Sequence, residues 1–497
     1  MFFNKLRLIC IKSIIISLSI MTTTLSQITF FKTYGDSAED HDDKGYAIIQ
    51  TSDSGYVIAG EYGIYREGTS NYYGDVYVIK TNIYGDTIWT RKLGDAKIRE
   101  TARSMVQTFD RGYLISAYIQ APLWQLWLIK LNSEGDSIWS KKYHLGIGNC
   151  IIETDDLGYV ITGQGINDNY VAYLLKIDSL GNTKWTKSYR NSIEDAGEYV
   201  QQTKDGGYII SGYTTLIDKE IWIIKTNSLG DTSWTKTYGS EYIDIAHSIY
   251  ETINGGYFLA GEYTEEGELG LENHIWLLLT DSWGDTLWTK KINTGSWEDY
   301  IYSMKRTSDG GYILCGEKYY DDFNSDIYLI KLDDMYIEQW YNTIGQNLGE
   351  KGDDKNYRGF DVTETFDGGY IITGFKWIWF GINEYMDLCL LKVNNKGQIT
   401  NLHSYNQKMP LNDMLFSNYP NPFNSITTIQ YNLTKDVNVM LEVFNVQGQK
   451  VKTLVNSHQK AGRYEVQFDG ANLASGVYIY KIKAGNFTQS KRMLLIK

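Results

Sequence analysis

The chain has 497 residues, 42% apolar and 14% aromatic with 41 tyrosines, so it can fill more than one core and is too long for one ordinary domain. Acids outnumber bases 60 to 47, and the formal charge of -13 is dispersed, which excludes the clustered Lys and Arg of a nucleic-acid binder. Pro122 is the only proline before residue 410, and a Pro-poor, Gly- and Tyr-rich chain without long helical periods reads as all-β.

At the N-terminus, Lys5, Arg7 and Lys12 precede an apolar stretch at 13–21 and then the small residues Thr22, Thr23, Thr24 and Ser26. This is the order of a secretory signal, expected to span residues 1–26 with cleavage near Ser26. Its apolar core is too short for a bilayer-spanning helix, and no later segment reads as one.

From there the chain repeats. A motif [D/N]-x-G-Y, followed by an apolar run and usually Gly, occurs seven times, with tyrosines at 56, 113, 159, 208, 257, 312 and 370, spaced 46 to 58 residues apart. Each unit reads as four short strands. A half-apolar first strand leads through a tight turn, as at Asp205-Gly206-Gly207, into the Gly-Tyr strand. A nearly continuous apolar run follows, such as 221–224, which suits a strand covered on both faces. The fourth strand carries Trp89, Trp139, Trp185, Trp234, Trp288 or Trp340, read as a wedge between neighbouring sheets.

Seven four-stranded units of about 50 residues predict a seven-bladed β-propeller over residues 27–405. An open β-solenoid would have shorter repeats. The seventh unit has Asn401 where Trp should stand, while 30–35 (FFKTYG) matches 234–239 (WTKTYG). The N-terminal strand is therefore expected to complete the last blade with Phe30 as its wedge, in competition with residues 398–405.

After a linker at 406–414 the pattern changes. Residues 415–497 carry some seven short alternating strands, expected as a small Ig-like β-sandwich. Tyr419-Pro420-Asn421-Pro422-Phe423 opens it. The turn ending at Gly448, the Gly462-Arg463-Tyr464 segment, Gly476-Val477-Tyr478 and the terminal Lys491-Arg492-Met493 follow in order. This segment resembles the type A C-terminal sorting domain of proteins exported by type IX (Por) secretion systems. The resemblance implies recognition by an outer-membrane secretion translocon, passage through the periplasm, and a secreted or cell-surface destination.

No HExxH, GxSxG, Walker or GxGxxG arrangement occurs in context, so no catalytic residue is assigned. The six histidines are scattered. Cys150, Cys315 and Cys389 are too far apart for a disulfide framework or a zinc site, and read as buried small hydrophobes. Glu39, Asp40, Asp42 and Asp43 around His41 recur as Glu194-Asp195, Asp244 and Glu298-Asp299 before later first strands. An acidic rim of this kind would take calcium, set against the alternative that such acids merely solubilise loops. No cofactor is identified.

The second-to-third and fourth-to-first connections vary in length and emerge on one propeller face, where binding is expected. They hold Tyr62, Tyr65, Tyr72, Tyr73, Trp124, Tyr319, Tyr320, Trp377, Trp379 and Phe380, which suit stacking on sugar rings or docking a protein. The expected function is a monomeric, non-enzymatic surface protein with a glycan or protein ligand. One alternative is an enzyme. The hairpin 224–234 is similar to blades of quinoprotein dehydrogenases that hold pyrroloquinoline quinone, though no adjacent-cysteine disulfide or calcium-ligating set accompanies it. Carboxylate-based glycan cleavage and a structural spacer are the others.

Overall fold

A computed structural model of the chain describes residues 27–400 and 414–497, apart from 36–40, 66–71, 96–97, 122, 167–169, 268–269, 294–297, 322–323, 346–347, 349–355, 381–382, 416–417, 419–420, 422, 434 and 461. The expected signal (1–26), nearly all of the expected linker, and Glu39 and Asp40 lie outside the described residues.

Sheets of four antiparallel strands repeat around a ring, each blade running from innermost to outermost strand in chain order. Blades 1 to 6 occupy 41–93, 99–143, 147–189, 195–238, 244–292 and 299–344. Blade 4 is representative: Asp195–Gln202, Tyr208–Thr215, Lys219–Thr226 and Thr232–Tyr238. Blade 7 draws three strands from its own stretch, Tyr357–Glu364, Tyr370–Phe380 and Asn383–Val393. Its outermost strand is Phe30–Tyr34, antiparallel to Asn383–Val393 with Phe30 opposite Lys392. The N-terminal segment thus closes the ring, and residues 398–400 of the competing segment are not strand.

The repeated W-x-K-x-Y of the outermost strand is the grip of one blade on the next. Five of the six Trp pack on the Gly of the following blade's third-to-fourth turn, as Trp89 on Gly135, Trp185 on Gly230 and Trp234 on Gly284, while Trp288 meets the ring of Tyr336, which takes that turn position in blade 6 (centroids 5.9 Å). That Gly has positive φ (+76° at Gly230), so both the turn and the flat seat for indole need it. The Tyr donates to the same residue's carbonyl, as in Tyr143 to Gly181 (2.6 Å) and Tyr189 to Gly230 (2.7 Å). The Lys reaches the turn carboxylate, as in Lys187 to Asp231 (2.7 Å). At the closure Phe30 sits against Gly85, Tyr34 donates to its carbonyl (2.6 Å) and Lys32 pairs with Asp86. The wedge tryptophans are half-buried rather than fully enclosed, because their outer edge stays at the rim of the ring.

A second device explains the Asp of the [D/N]-x-G-Y motif. In blade 4, Asp205 accepts from Thr203 (2.5 Å), from the Gly207 amide (2.9 Å) and from the buried Lys225 at the end of the third strand (2.8 Å). Asp53–Lys80, Asp110–Lys130, Asp156–Lys176, Asp309–Lys331 and Asp367–Lys392 repeat it. Partial burial would raise Asp156 and Asp205, but hydrogen bonds from the lysine, the threonine and the glycine amide outweigh it and hold both at about 2. Blade 5 alone has Asn254 and Leu279 at these two positions, so both partners are exchanged together.

Cys150, Cys315 and Cys389 are buried free thiols, and burial pushes Cys150 up to about 11. The C-terminal unit is a sandwich of three strands (Met414–Leu415, Ile426–Leu433, Gly462–Asp469) and four (Val437–Asn445, Lys450–Gln459, Gly476–Ala484, Phe487–Leu495). Its core holds Phe423, Ile429, Tyr431, Leu441, Val443, Phe468 and Tyr480.

Candidate functional site

The seven innermost strands share one irregularity. Each has a bulge at the same register, leaving one residue outside the ladder: Tyr46, Arg103, Asn149, Glu198, His247, Tyr302 and Phe360 in blades 1 to 7. The bulge folds strand backbone over the Gly of the neighbouring second strand. A Cβ on Gly60, Gly163, Gly212, Gly261, Gly316 or Gly374 would collide with that backbone, which accounts for the Gly that ends the repeat motif.

These seven residues form a ring about the axis. Tyr46 meets Phe360 (ring centroids 4.9 Å apart), Phe360 meets Tyr302 (5.3 Å), Tyr302 meets His247 (6.1 Å), and Arg103 lies 5.5 Å from the Tyr46 ring. Asn149 donates to Gly197 (3.1 Å). The ring is two-sided: blades 6, 7 and 1 contribute aromatics, and blades 2 to 5 contribute polar and charged groups. Beneath it, Tyr199 and Tyr250 share a hydroxyl hydrogen bond (2.6 Å), and Lys305 lies 3.4 Å from Asp361.

Above the ring, toward the variable connections, the aromatic side builds up around Arg358. Its guanidinium pairs with the fully buried Glu317 of blade 6 and donates to the Tyr319 hydroxyl (2.9 Å). It lies 5.3 to 5.9 Å from the rings of Trp377, Phe375, Tyr302 and Phe360. Burial and Glu317 push the Tyr319 phenol up to about 12, so it stays a neutral hydroxyl. Arg99 holds buried Glu61 (2.8 Å) in the same way across blades 1 and 2. His247 contacts Glu262 (2.9 Å). Burial opposes its protonation, but Glu262 and Glu198 raise its pKa overall, with Arg103 acting against them from across the axis.

Of the aromatics expected to bind, Tyr319 and Trp377 meet at Arg358 on this mouth. Trp124 packs on Tyr118 (5.1 Å) in blade 2. Tyr73 is half-buried opposite Ile64, and Tyr62 is buried beneath Lys92. Tyr320 turns to the other side of its strand and donates to Asp326 (3.1 Å), away from the mouth. The side chains of Tyr65, Tyr72, Trp379 and Phe380 lie outside the described residues, although Tyr72 and Trp379 pair in their sheets. Sequence reasoning missed Tyr46, Arg103, His247, Tyr302, Phe360 and Arg358. Aligning the seven repeats at the residue after the small Gly or Ala of the first strand would have found most of the ring.

The recurring acids are not an exposed rim. Asp42, Asp43, Asp195, Asp244 and Asp299 are buried. Asp195 accepts from the amides of Asn191 (2.8 Å) and Ser192 (3.1 Å), and Asp244 from those of Ser240 (2.5 Å) and Thr264 (3.1 Å). Asp195 and Asp244 brace the fourth-to-first connections from within, so for the buried acids both the rim reading and the solubilising one are corrected, while Glu194 and Glu298 are half-buried. Among the described residues no group of three or more His, Cys, Asp or Glu is arranged to hold a metal ion.

In the sandwich, Phe423 is buried on Phe468 and bonds through its backbone to the last strand, accepting from Ile496 and donating to Leu494 (both 2.9 Å). Asn421 accepts from the Leu494 amide (2.8 Å), Gly448 takes positive φ (+77°) in its turn, and Tyr478 at 8% exposure donates to Ala474 (2.8 Å). Gly476 opens its strand opposite Leu495, and Lys491 lies opposite Tyr480. Tyr419, Pro420 and Pro422 are outside the described residues.

The fold defines a closed seven-bladed propeller with a lined axial mouth, followed by a two-sheet sandwich. Residues 417–497 match the secretion system C-terminal sorting domain family. The sandwich is that sorting domain, and the protein is a secreted or cell-surface β-propeller protein of the type IX secretion kind. No curated protein matches the chain. Among solved structures, it is similar to PorZ, a surface component of the type IX secretion system of Porphyromonas gingivalis (8% identity, 91% of this chain and 81% of that one, TM-score 0.27). Others are hydrazine synthase of Kuenenia stuttgartiensis (9%, 71% and 98%, TM-score 0.43) and a protein of unknown function from Dyadobacter fermentans (11%, 73% and 98%, TM-score 0.41).

Proposed function

We propose that this protein is a non-catalytic binding module that takes a glycan at the axial mouth of its propeller, on the face of the variable connections. The observation that carries the reading is the wall of Trp377, Phe360, Tyr302 and Tyr46, backed by the buried Phe375, with Arg358 packed among the first three of these rings and Phe375. Flat aromatic faces beside hydrogen-bonding groups suit the apolar face and hydroxyl edge of a pyranose. Of the carboxylates at the mouth, Glu61, Glu317 and Glu262 are engaged by Arg99, Arg358 and His247, which leaves Glu198 as the carboxylate of the ring itself. That arrangement favours binding over carboxylate catalysis, which needs one free nucleophile or base and one acid.

The test is a glycan array with the purified secreted protein and its Trp377→Ala variant. Binding to a defined glycan set that the variant loses, at an unchanged unfolding temperature, supports the reading. A wild-type protein that binds no glycan overturns it and leaves a spacer or a protein ligand. Hydrolysis of a bound glycan overturns its non-catalytic part.

A further inference from the structure

Resting on the glycan-binding reading and deepening it, we infer that the axial ring is the subsite for the carboxylate of a uronic acid unit, whose sugar ring lies on the aromatic side of the mouth. The arginines there divide into two kinds, and Lys44 lies against Asp42 (4.0 Å) and the Phe375 ring. Arg358 is held by Glu317, Tyr319 and four aromatic rings, and Arg99 by Glu61. Arg103 is exposed, and among the described residues no carboxylate lies within 4.0 Å of its side-chain nitrogens.

Arg103 is placed by the fold rather than by a loop. It is the bulge residue of its strand, between Ala102 and Ser104, and its guanidinium lies 5.5 Å from the Tyr46 ring at the end of the aromatic arc. A guanidinium offers a planar pair of donors that fits a carboxylate, and contact with an aromatic face leaves its edge available for that pairing.

The charge around it selects the anion. Glu198 shares the ring, and the whole chain carries -13. A dianionic phosphate or a densely sulfated chain meets that repulsion at full strength, whereas one carboxylate delivered by a sugar meets half of it. A neutral pyranose would use the aromatic arc and leave Arg103 without a partner.

Calorimetric titration of the purified secreted protein with galacturonic acid and with its methyl ester tests this. The wild type is expected to bind the acid about tenfold more tightly than the ester, the scale of one charge-assisted hydrogen-bonded pair. Arg103→Gln should lose that tenfold preference, so that acid and ester bind alike, with its unfolding temperature intact because the side chain is exposed. Arg103→Lys, which keeps charge without the planar fork, should fall between them. Equal wild-type affinity for acid and ester, or a preference that survives Arg103→Gln, overturns the subsite. Ester binding that Trp377→Ala abolishes would then leave the glycan-binding face standing. If neither probe binds, the uronate subsite falls, and the array decides the face separately.

Discussion

The two ends of the same strands behave differently. At the turn end, the Asp–Lys clamp recurs in six of the seven blades and a wedge aromatic in all seven, with the complete W-x-K-x-Y grip in blades 2 to 4. At the mouth end, the bulge puts a different residue at each of seven equivalent positions, from Arg103 and Glu198 to Tyr302 and Phe360. A feature that every blade shares serves the ring that all blades build. A position held by geometry but free in chemistry is where one molecule can acquire an asymmetric site. The backbone keeps seven-fold regularity, and the side chains divide the mouth into an aromatic and a polar half.

Removing the closure should have the largest effect on the regular end. Phe30 is 6% exposed and fills the wedge seat on Gly85, so Phe30→Ala is expected to cost ~3–5 kcal/mol in denaturant unfolding. A cost no larger than that of a surface substitution would mean that another segment closes the ring. Next comes the clamp. Asp205→Ala strands the buried Lys225 and should cost ~1–3 kcal/mol. Asp205→Asn with Lys225→Leu, the combination that blade 5 already carries, should recover most of it in a double-mutant cycle. Additive losses would break the claim that the two residues act as one unit.

The smallest effect is on pH dependence. Asp156 and Asp205 sit at about 2 in the fold, against about 3.9 in an unfolded chain. Unfolding therefore takes up protons between these values. The clamps' contribution is complete above about pH 4 and is lost as pH falls through about 2. The same double substitution, which removes the blade 4 clamp, should lose less stability across that window than the wild type, as followed by thermal unfolding at a series of pH values.

Much of the regular end was legible in the sequence because repetition exposes it. The seven Gly-Tyr motifs, the wedge tryptophans and the match of 30–35 to 234–239 led to the blades and to the closing strand. The mouth was legible only in part. Trp377 and Tyr319 were found through loop length, but Tyr320, one residue on, points away because side chains alternate along a strand. The bulge residues were hidden because an extra residue breaks that alternation and no propensity marks it. The buried acids Asp195 and Asp244 misled because a carboxylate that braces a loop from within has the same spelling as one exposed on it.

The proposed division of labour gives binding to the irregular end and leaves the regular end to hold the ring. Hydrogen exchange on the protein with and without a glycan selected from the array tests it most directly. Protection is expected at the mouth-side halves of the innermost strands, around Lys44–Tyr46, Tyr300–Tyr302 and Arg358–Phe360, with the 205–208 and 227–231 turns unchanged. Protection concentrated at those turns, with the mouth unaffected, would contradict it.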